Sequence, residues 1–162
     1  MKTIAAIATP RGTGGVSIIR ISGDDAVNVA RRVFMPASGK KIKHINSHTA
    51  VYGNIVDGDE RIDDGILTLF LSPHSYTGEN VAEIACHGGI YVTERVLRVC
   101  LDAGARIAGA GEFTKRALLN GKISLTQAES VIDIINSQNK QYLSCSLAQR
   151  EGALYKKIEE IS

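Results

Sequence analysis

Glu83 stands in the middle of a short apolar run, Val81 to Cys86. Turn residues Tyr76-Thr77-Gly78-Glu79-Asn80 precede the run, and His87-Gly88-Gly89 follows it. An apolar run of that length between turn residues is a buried or half-buried strand. On an extended strand Glu83 shares a side with Val81 and Ala85. A carboxylate there is solvated, paired or in use, because burying an unpaired one is prohibitive. Arg20 is the second residue of this kind, a cation inside the strand Val16 to Ser22, where Val16, Ile18, Arg20 and Ser22 share one face. It either pairs with a neighbouring carboxylate or holds an anionic ligand. Gly88 and Gly89 leave the backbone bare where a following helix points its free amides outward. Together these residues mark a candidate small-molecule site.

Other chemistry-bearing residues have blander readings beside the sharper ones. His87 is placed as a general base, or equally as part of a structural turn. Lys122, just past Asn120-Gly121, complements a helix end or reaches a ligand. Glu79 reads as a turn residue and Glu112 as a helix N-terminal charge. The segment Thr9-Pro10-Arg11-Gly12-Thr13-Gly14-Gly15 invites a phosphate-loop reading, but no Lys-Ser or Lys-Thr follows at the required spacing and a strand follows instead of a helix. His87-Gly88-Gly89 as a nucleotide-binding helix start lacks the third glycine and the βαβ context.

The chain that positions these residues has 162 residues, 44% of them hydrophobic, and a net charge of +2. That suffices for one domain with a real core, or a domain plus an appendage. No global field advertises a nucleic-acid partner, and Lys40-Lys41-Ile42-Lys43-His44 reads as a solvated loop before it reads as an RNA contact. Cys86, Cys100 and Cys145 form no CxxC pair, which excludes a disulfide framework and a zinc ribbon and fits a reducing cytoplasm. No signal peptide or membrane-spanning run is evident, so a cytoplasmic location is expected.

In order, the pattern predicts strands over Thr3–Ala8 and Val16–Ser22, a helix from Gly23-Asp24-Asp25 onward, and a loop over Pro36–Asn46. A hairpin follows, Ser47–Val56 and Arg61–Leu71 about Asp57-Gly58. Then come the Val81–Cys86 strand, a helix Ile90–Asp102 closed by Gly104, a brief strand Ala105–Ala108, and a helix Glu112–Leu119. This order argues an α+β fold, a mostly antiparallel sheet with flanking helices. Ser124 and Gln127 have capping-box spacing, and Ala128 to Ile161 reads as one long helix with an apolar stripe through Leu143, Leu147, Leu154 and Ile158. The expected organisation is an α+β domain over 1–121 and the start of a helical domain over 122–162. The uncovered stripe suggests a fragment of a longer protein whose remainder supplies at least one more helix.

Three ordered patches carry a resemblance. They are Gly14-Gly15-Val16-Ser17-Ile18-Ile19-Arg20-Ile21-Ser22-Gly23; Ser75-Tyr76-Thr77-Gly78-Glu79-Asn80 through His87-Gly88-Gly89; and Gly111-Glu112-Phe113-Thr114-Lys115-Arg116-Ala117-Leu118-Leu119-Asn120-Gly121-Lys122 with Leu125, Gln127, Ala128 and Glu129. The chain resembles the N-terminal part of the MnmE/TrmE family, bacterial GTPases that modify the wobble uridine of tRNA. The segment Phe34 to Ile66 carries none of the likeness.

The resemblance implies an aminomethyltransferase-like folate-binding domain that forms a homodimer. The family's folate contacts map onto Arg20, Glu83 and Lys122, with 5-formyl-tetrahydrofolate or 5,10-methylene-tetrahydrofolate as ligand. In the full-length protein it further implies GTP with Mg and K ions, tRNA, and the flavoprotein MnmG as partner in modifying carbon 5 of the uridine. No GxxxxGK[ST] occurs here, so this chain alone is expected to lack the GTPase site and its activity. The alternative is a dimerisation or interaction module whose pocket is vestigial.

Overall fold

The computed structural model of the chain describes residues 1–10 and 14–134. The chain divides into two compact units, Met1–Lys122 and Ile123–Ser162. The first unit runs β1 (Ile4–Ile7), β2 (Val16–Ser22), α1 (Ala26–Val33), β3 (Phe34–Pro36), β4 (Ala50–Asp57), β5 (Glu60–Phe70), β6 (Val81–His87), α2 (Ile90–Asp102), β7 (Arg106–Ile107) and α3 (Glu112–Leu119). The strands form one sheet in the order β3-β4-β5-β6-β2-β1-β7. Adjacent strands are antiparallel except β1 and β7, which are parallel, so the α+β expectation stands with a mixed sheet.

Period-two alternation decides which face of each strand is inside. Ile19 and Ile21 of β2, Leu67 and Leu69 of β5, and Ile84 of β6 are all buried. They pack against Val29 and Val33 of α1 and Val96, Val99 and Cys100 of α2 in one core cluster. Each such aliphatic side chain contributes about 1.5–3 kcal/mol by leaving water. The buried positions of α1, Ala26, Val29, Ala30 and Val33, recur at helical spacing. Helix α2 stops at a Schellman motif: Gly104 takes φ 122°, Ala105 N–H donates to Cys100 O at 3.2 Å, and Gly104 N–H to Leu101 O at 3.1 Å. The β4–β5 connection is the tight hairpin expected at Asp57-Gly58, with Gly58 at φ 60° and Asp57 opposite Glu60.

Among the described residues of the first unit, the other sheet face is covered only at one end. There Thr77, Glu79 and Arg116 reach Ser22 at the end of β2. Beyond that end, the row Ile18, Ala85, Ile66 and Tyr52 crosses β2, β6, β5 and β4 in register, with Ile66 44% and Tyr52 57% exposed.

Two elements lie where the sequence reads as helix and loop. α1 gives way at Phe34, whose φ of −135° is extended, and β3 pairs with β4 at the sheet edge. Pro36 is tolerated there because an edge strand needs no N–H on its outer side. Residues Ile42–His44 form a 3₁₀ turn that buries Ile42. In the second unit residues 125–134 are helical, and the capping box is made: Gln127 N–H donates to Ser124 Oγ at 3.1 Å and Ser124 N–H to Gln127 Oε1 at 2.8 Å. The apolar stripe from Leu143 onward and Cys145 lie outside the described residues. Cys86 and Cys100 are free and buried, and desolvation pushes their thiols up to about 11 and about 12, well away from reactive thiolates. No helix among the described residues is long and apolar enough to cross a membrane.

Candidate functional site

Arg20 and Glu83, 63 residues apart in the chain, are direct cross-strand partners on β2 and β6. Arg20 Nε donates to Glu83 Oε1 at 3.0 Å, and the side chains are 30% and 24% exposed. The pair lies on the half-covered face, where side chains at positions 18, 20, 83 and 85 alternate away from the core. Among the described residues, Glu83 Oε2 and both Arg20 Nη groups have no hydrogen-bond partner. The pair therefore presents a free acceptor beside free donors. Two aromatic rings flank the guanidinium: its Cζ lies 5.8 Å from the Tyr76 ring centre and 5.5 Å from that of Phe113. Tyr76 is tied in turn to α3, its hydroxyl 2.9 Å from Thr114 Oγ1.

Lys122 reaches the same end of the unit by a local device. Gly121 takes φ 71°, Lys122 N–H donates to Ala117 O at 2.8 Å and Gly121 N–H to Leu118 O at 3.1 Å, so α3 ends in a second Schellman motif. The stem of Lys122 then passes the Tyr76–Asn80 turn, where a Cβ added to Gly78 would lie 3.2 Å from Lys122 Cγ. The structure thus joins Arg20 to Glu83 directly, and sets Lys122 against the adjoining turn without a hydrogen bond to either.

Beneath the turn lies a polar cluster. Arg116 is 2% exposed. Its Nη1 donates to Glu79 Oε2 at 3.1 Å, and its Nη2 to Glu112 Oε2 at 3.2 Å and to Lys2 O at 2.5 Å. Glu79 also accepts from Ser22 Oγ at 2.6 Å. Glu112 is held at about 2, chiefly by its hydrogen bonds to the Arg106 guanidinium, whose Nη2 is 2.6 Å away.

His87 sits four residues beyond Glu83, about 13 Å along the strand. Its Nδ1 is 2.8 Å from Asp63 Oδ1, and its backbone N–H donates to Asp63 Oδ2 at 2.9 Å. Asp63, Asp64 and His87 offer ligand atoms within 4.8 Å of one another, yet Asp64 already accepts from Tyr52 at 2.9 Å and from Arg61 at 3.1 Å. The cluster is satisfied from within. The Asp63 bond raises the His87 pKa above its ordinary 6.5. Its stabilising contribution is therefore complete below the ordinary value and lost as pH rises through the raised one. An NMR titration of His87 should give a midpoint above 6.5, and Asp63→Asn should lower it; equal midpoints would show the bond is not made. A separate groove of about 470 Å³ opens between α2 and the β1–β7 edge, lined by Ile7, Ser17, Ile90, Leu97 and Ile107 among others, and shares no residue with the Arg20–Glu83 pair.

Residues 3–122, almost the whole first unit, match the family described as GTP-binding protein TrmE N-terminus. The chain belongs to that family. It is 50% identical over 159 residues to the tRNA modification GTPase MnmE of Clostridioides difficile, covering 98% of this chain and 35% of that protein. The proteins of the same name from Symbiobacterium thermophilum and Acetivibrio thermocellus are 47% and 50% identical over 161 residues, covering 99% and 98% of this chain and 35% and 34% of those proteins. The chain thus spans about a third of the length of the curated relatives it matches.

Two readings of the sequence change. Gly88 is not a bare platform for a ligand: an added Cβ would lie 2.0 Å from Gly14 O, so the glycine is required by the close approach of the segment leading into β2. It also lies at the opposite end of β6 from the Tyr76–Asn80 turn. Glu79 is more than a turn residue, since its carboxylate balances the buried Arg116. Sequence reasoning passed over Arg116, Tyr76 and Phe113; the one local signal was Glu112 and Arg116 at i, i+4.

Proposed function

We propose that this chain is the folate-binding, self-associating N-terminal region of a tRNA-modifying GTPase, with Arg20, Glu83 and Lys122 as its ligand-holding residues. The observation that carries the reading is the Arg20–Glu83 pair with its unused acceptor and donors, set between two aromatic rings. A tetrahydrofolate offers a pterin edge with parallel N–H donors, a flat aromatic middle and an anionic glutamate tail. A carboxylate has about four lone-pair sites, and Glu83 uses one of them on Arg20, so the pterin donors still find a fork. The Arg20 Nη groups stand beside that fork for a carbonyl or carboxylate, Lys122 supplies a second cation for the tail, and Tyr76 and Phe113 provide walls for a flat ring. These residues fit the ligand. When bound, 5-formyl- or 5,10-methylene-tetrahydrofolate supplies the one-carbon unit; the residues here bind and orient it.

The uncovered sheet face around Ile66 and Tyr52 supports self-association as a homodimer. GTP, its Mg and K ions, the tRNA and the flavoprotein MnmG are assigned to the full-length protein, because this chain contains no GxxxxGK[ST] to cradle phosphates. Calorimetric titration of the chain with 5-formyl-tetrahydrofolate, with GTP as the control, tests the reading. Binding of the folate but not of GTP is expected. No heat with folate at millimolar concentration would overturn it, leaving an interaction module. Sedimentation equilibrium at micromolar concentration should show dimers.

A further inference from the structure

Helix α3 has little that would hold it by apolar burial. Its fully buried residues are Thr114, Arg116 and Ala117, none of them a large hydrophobe. Polar bonds tie it down: Glu112 is held by Arg106 and Gly109 N–H, and the others run to the turn and the ends of β1 and β2. Arg116 reaches Glu79 in the turn, Ser22 O at the end of β2 and Lys2 O ahead of β1. Asn120 Nδ2 donates to Thr77 O at 2.7 Å, and Thr114 meets the Tyr76 hydroxyl. Thr77 is wholly buried, and its Oγ1 is 2.8 Å from Ser22 Oγ.

We infer that Arg116 is a positioning residue that locks α3 and the Tyr76–Asn80 turn into one clamp over Arg20 and Glu83. The two aromatic walls come from the two halves of this clamp, Tyr76 from the turn and Phe113 from α3. Lys122 follows directly from the α3 cap. Among the described residues Arg116 makes no hydrogen bond or ion pair with Arg20 or Glu83, so its effect on a ligand passes through the elements it joins. Only a guanidinium, planar with five donors in a fixed fork, serves Glu79, Glu112 and two backbone carbonyls at once; an ammonium of similar reach cannot span them.

The ligand consequence rests on the folate reading; the clamp itself does not. Arg116→Lys keeps the charge and removes the fork. Amide hydrogen exchange of the unliganded variant should rise about ten-fold or more over both residues 76–80 and 112–119, while β2 and β6 keep their protection. Affinity for 5-formyl-tetrahydrofolate should fall about ten- to a hundred-fold. Exchange that rises in one segment only, in neither, or throughout the sheet overturns the clamp. If the parent protein fails to bind folate, the functional reading falls and the exchange data alone decide the clamp. If the parent binds and Arg116→Lys binds equally well, Arg116 does not position the ligand.

Discussion

Glu83→Gln is expected to weaken binding of 5-formyl-tetrahydrofolate by about 100-fold or more, with the fold intact. A hydrogen bond to a charged group contributes about 1.5–3 kcal/mol, and two made in parallel to a pterin edge total roughly 3–5 kcal/mol after incomplete desolvation. Since 1.4 kcal/mol is about a factor of ten, the loss is at least two decades. The amide keeps the shape but turns one acceptor into a donor facing a donor. Stability should change little, because the Arg20–Glu83 bridge is partly exposed on both sides, and such pairs contribute about 0–1 kcal/mol. Glu79→Gln is an unsuitable control, since Glu79 neutralises Arg116. Asp59→Asn, at the exposed tip of the β4–β5 hairpin, is the neutral comparison. Calorimetric titration of both variants decides the matter. Binding by Glu83→Gln within a few-fold of the parent would place the pterin elsewhere.

Arg116→Met is expected to cost about 3–5 kcal/mol of stability, the usual result of removing one partner from a buried ion pair and leaving the other uncompensated. That is a large fraction of the roughly 5–15 kcal/mol that holds a domain folded. It should lower the thermal midpoint by on the order of 10 °C or more. The cause is specific: Glu79, with its side chain 11% exposed, loses the one cation paired with it among the described residues, whereas Glu112 retains Arg106. The double variant Arg116→Met with Glu79→Gln removes both charges and should recover most of the loss, because the penalty lies in the unpaired carboxylate. Urea denaturation of the three proteins gives the comparison. A loss under about 1 kcal/mol for Arg116→Met, or no recovery in the double variant, would mean that burial of the pair has been misjudged.

Much of this molecule was legible in one dimension. β2 and α2 follow from hydrophobic pattern, β6 from an apolar run between turn residues, α3 from the glycines that bound it, the β4–β5 hairpin from Asp57-Gly58, the two helix stops from Gly104 and Gly121, and the capping box from Ser124 and Gln127. These features depend on residues within a few positions of one another, where backbone sterics and local hydrogen bonds decide the outcome. The candidate residues Arg20 and Glu83 were legible too, as charges in apolar strands that demand a partner.

Tertiary structure alone decided who the partner is. Strand register joins Arg20 to Glu83 across 63 residues, and a slip of one position would send every side chain of the strand to the other face. Edge pairing with β4 set Phe34–Pro36 into β3, where the sequence reads as a helix giving way to a loop, because an extended backbone there gains a hydrogen-bonding neighbour that the sequence around it does not announce. The approach of Gly14 gave Gly88 a packing role in place of a ligand role. The reach of Arg116 to Ser22 and Lys2, 94 and 114 residues away, converted two ordinary-looking glutamates into parts of a buried cluster. A lone charged residue carries no mark of burial in sequence; burial follows from the partners the fold brings to it, since without them the desolvation penalty would keep it in water.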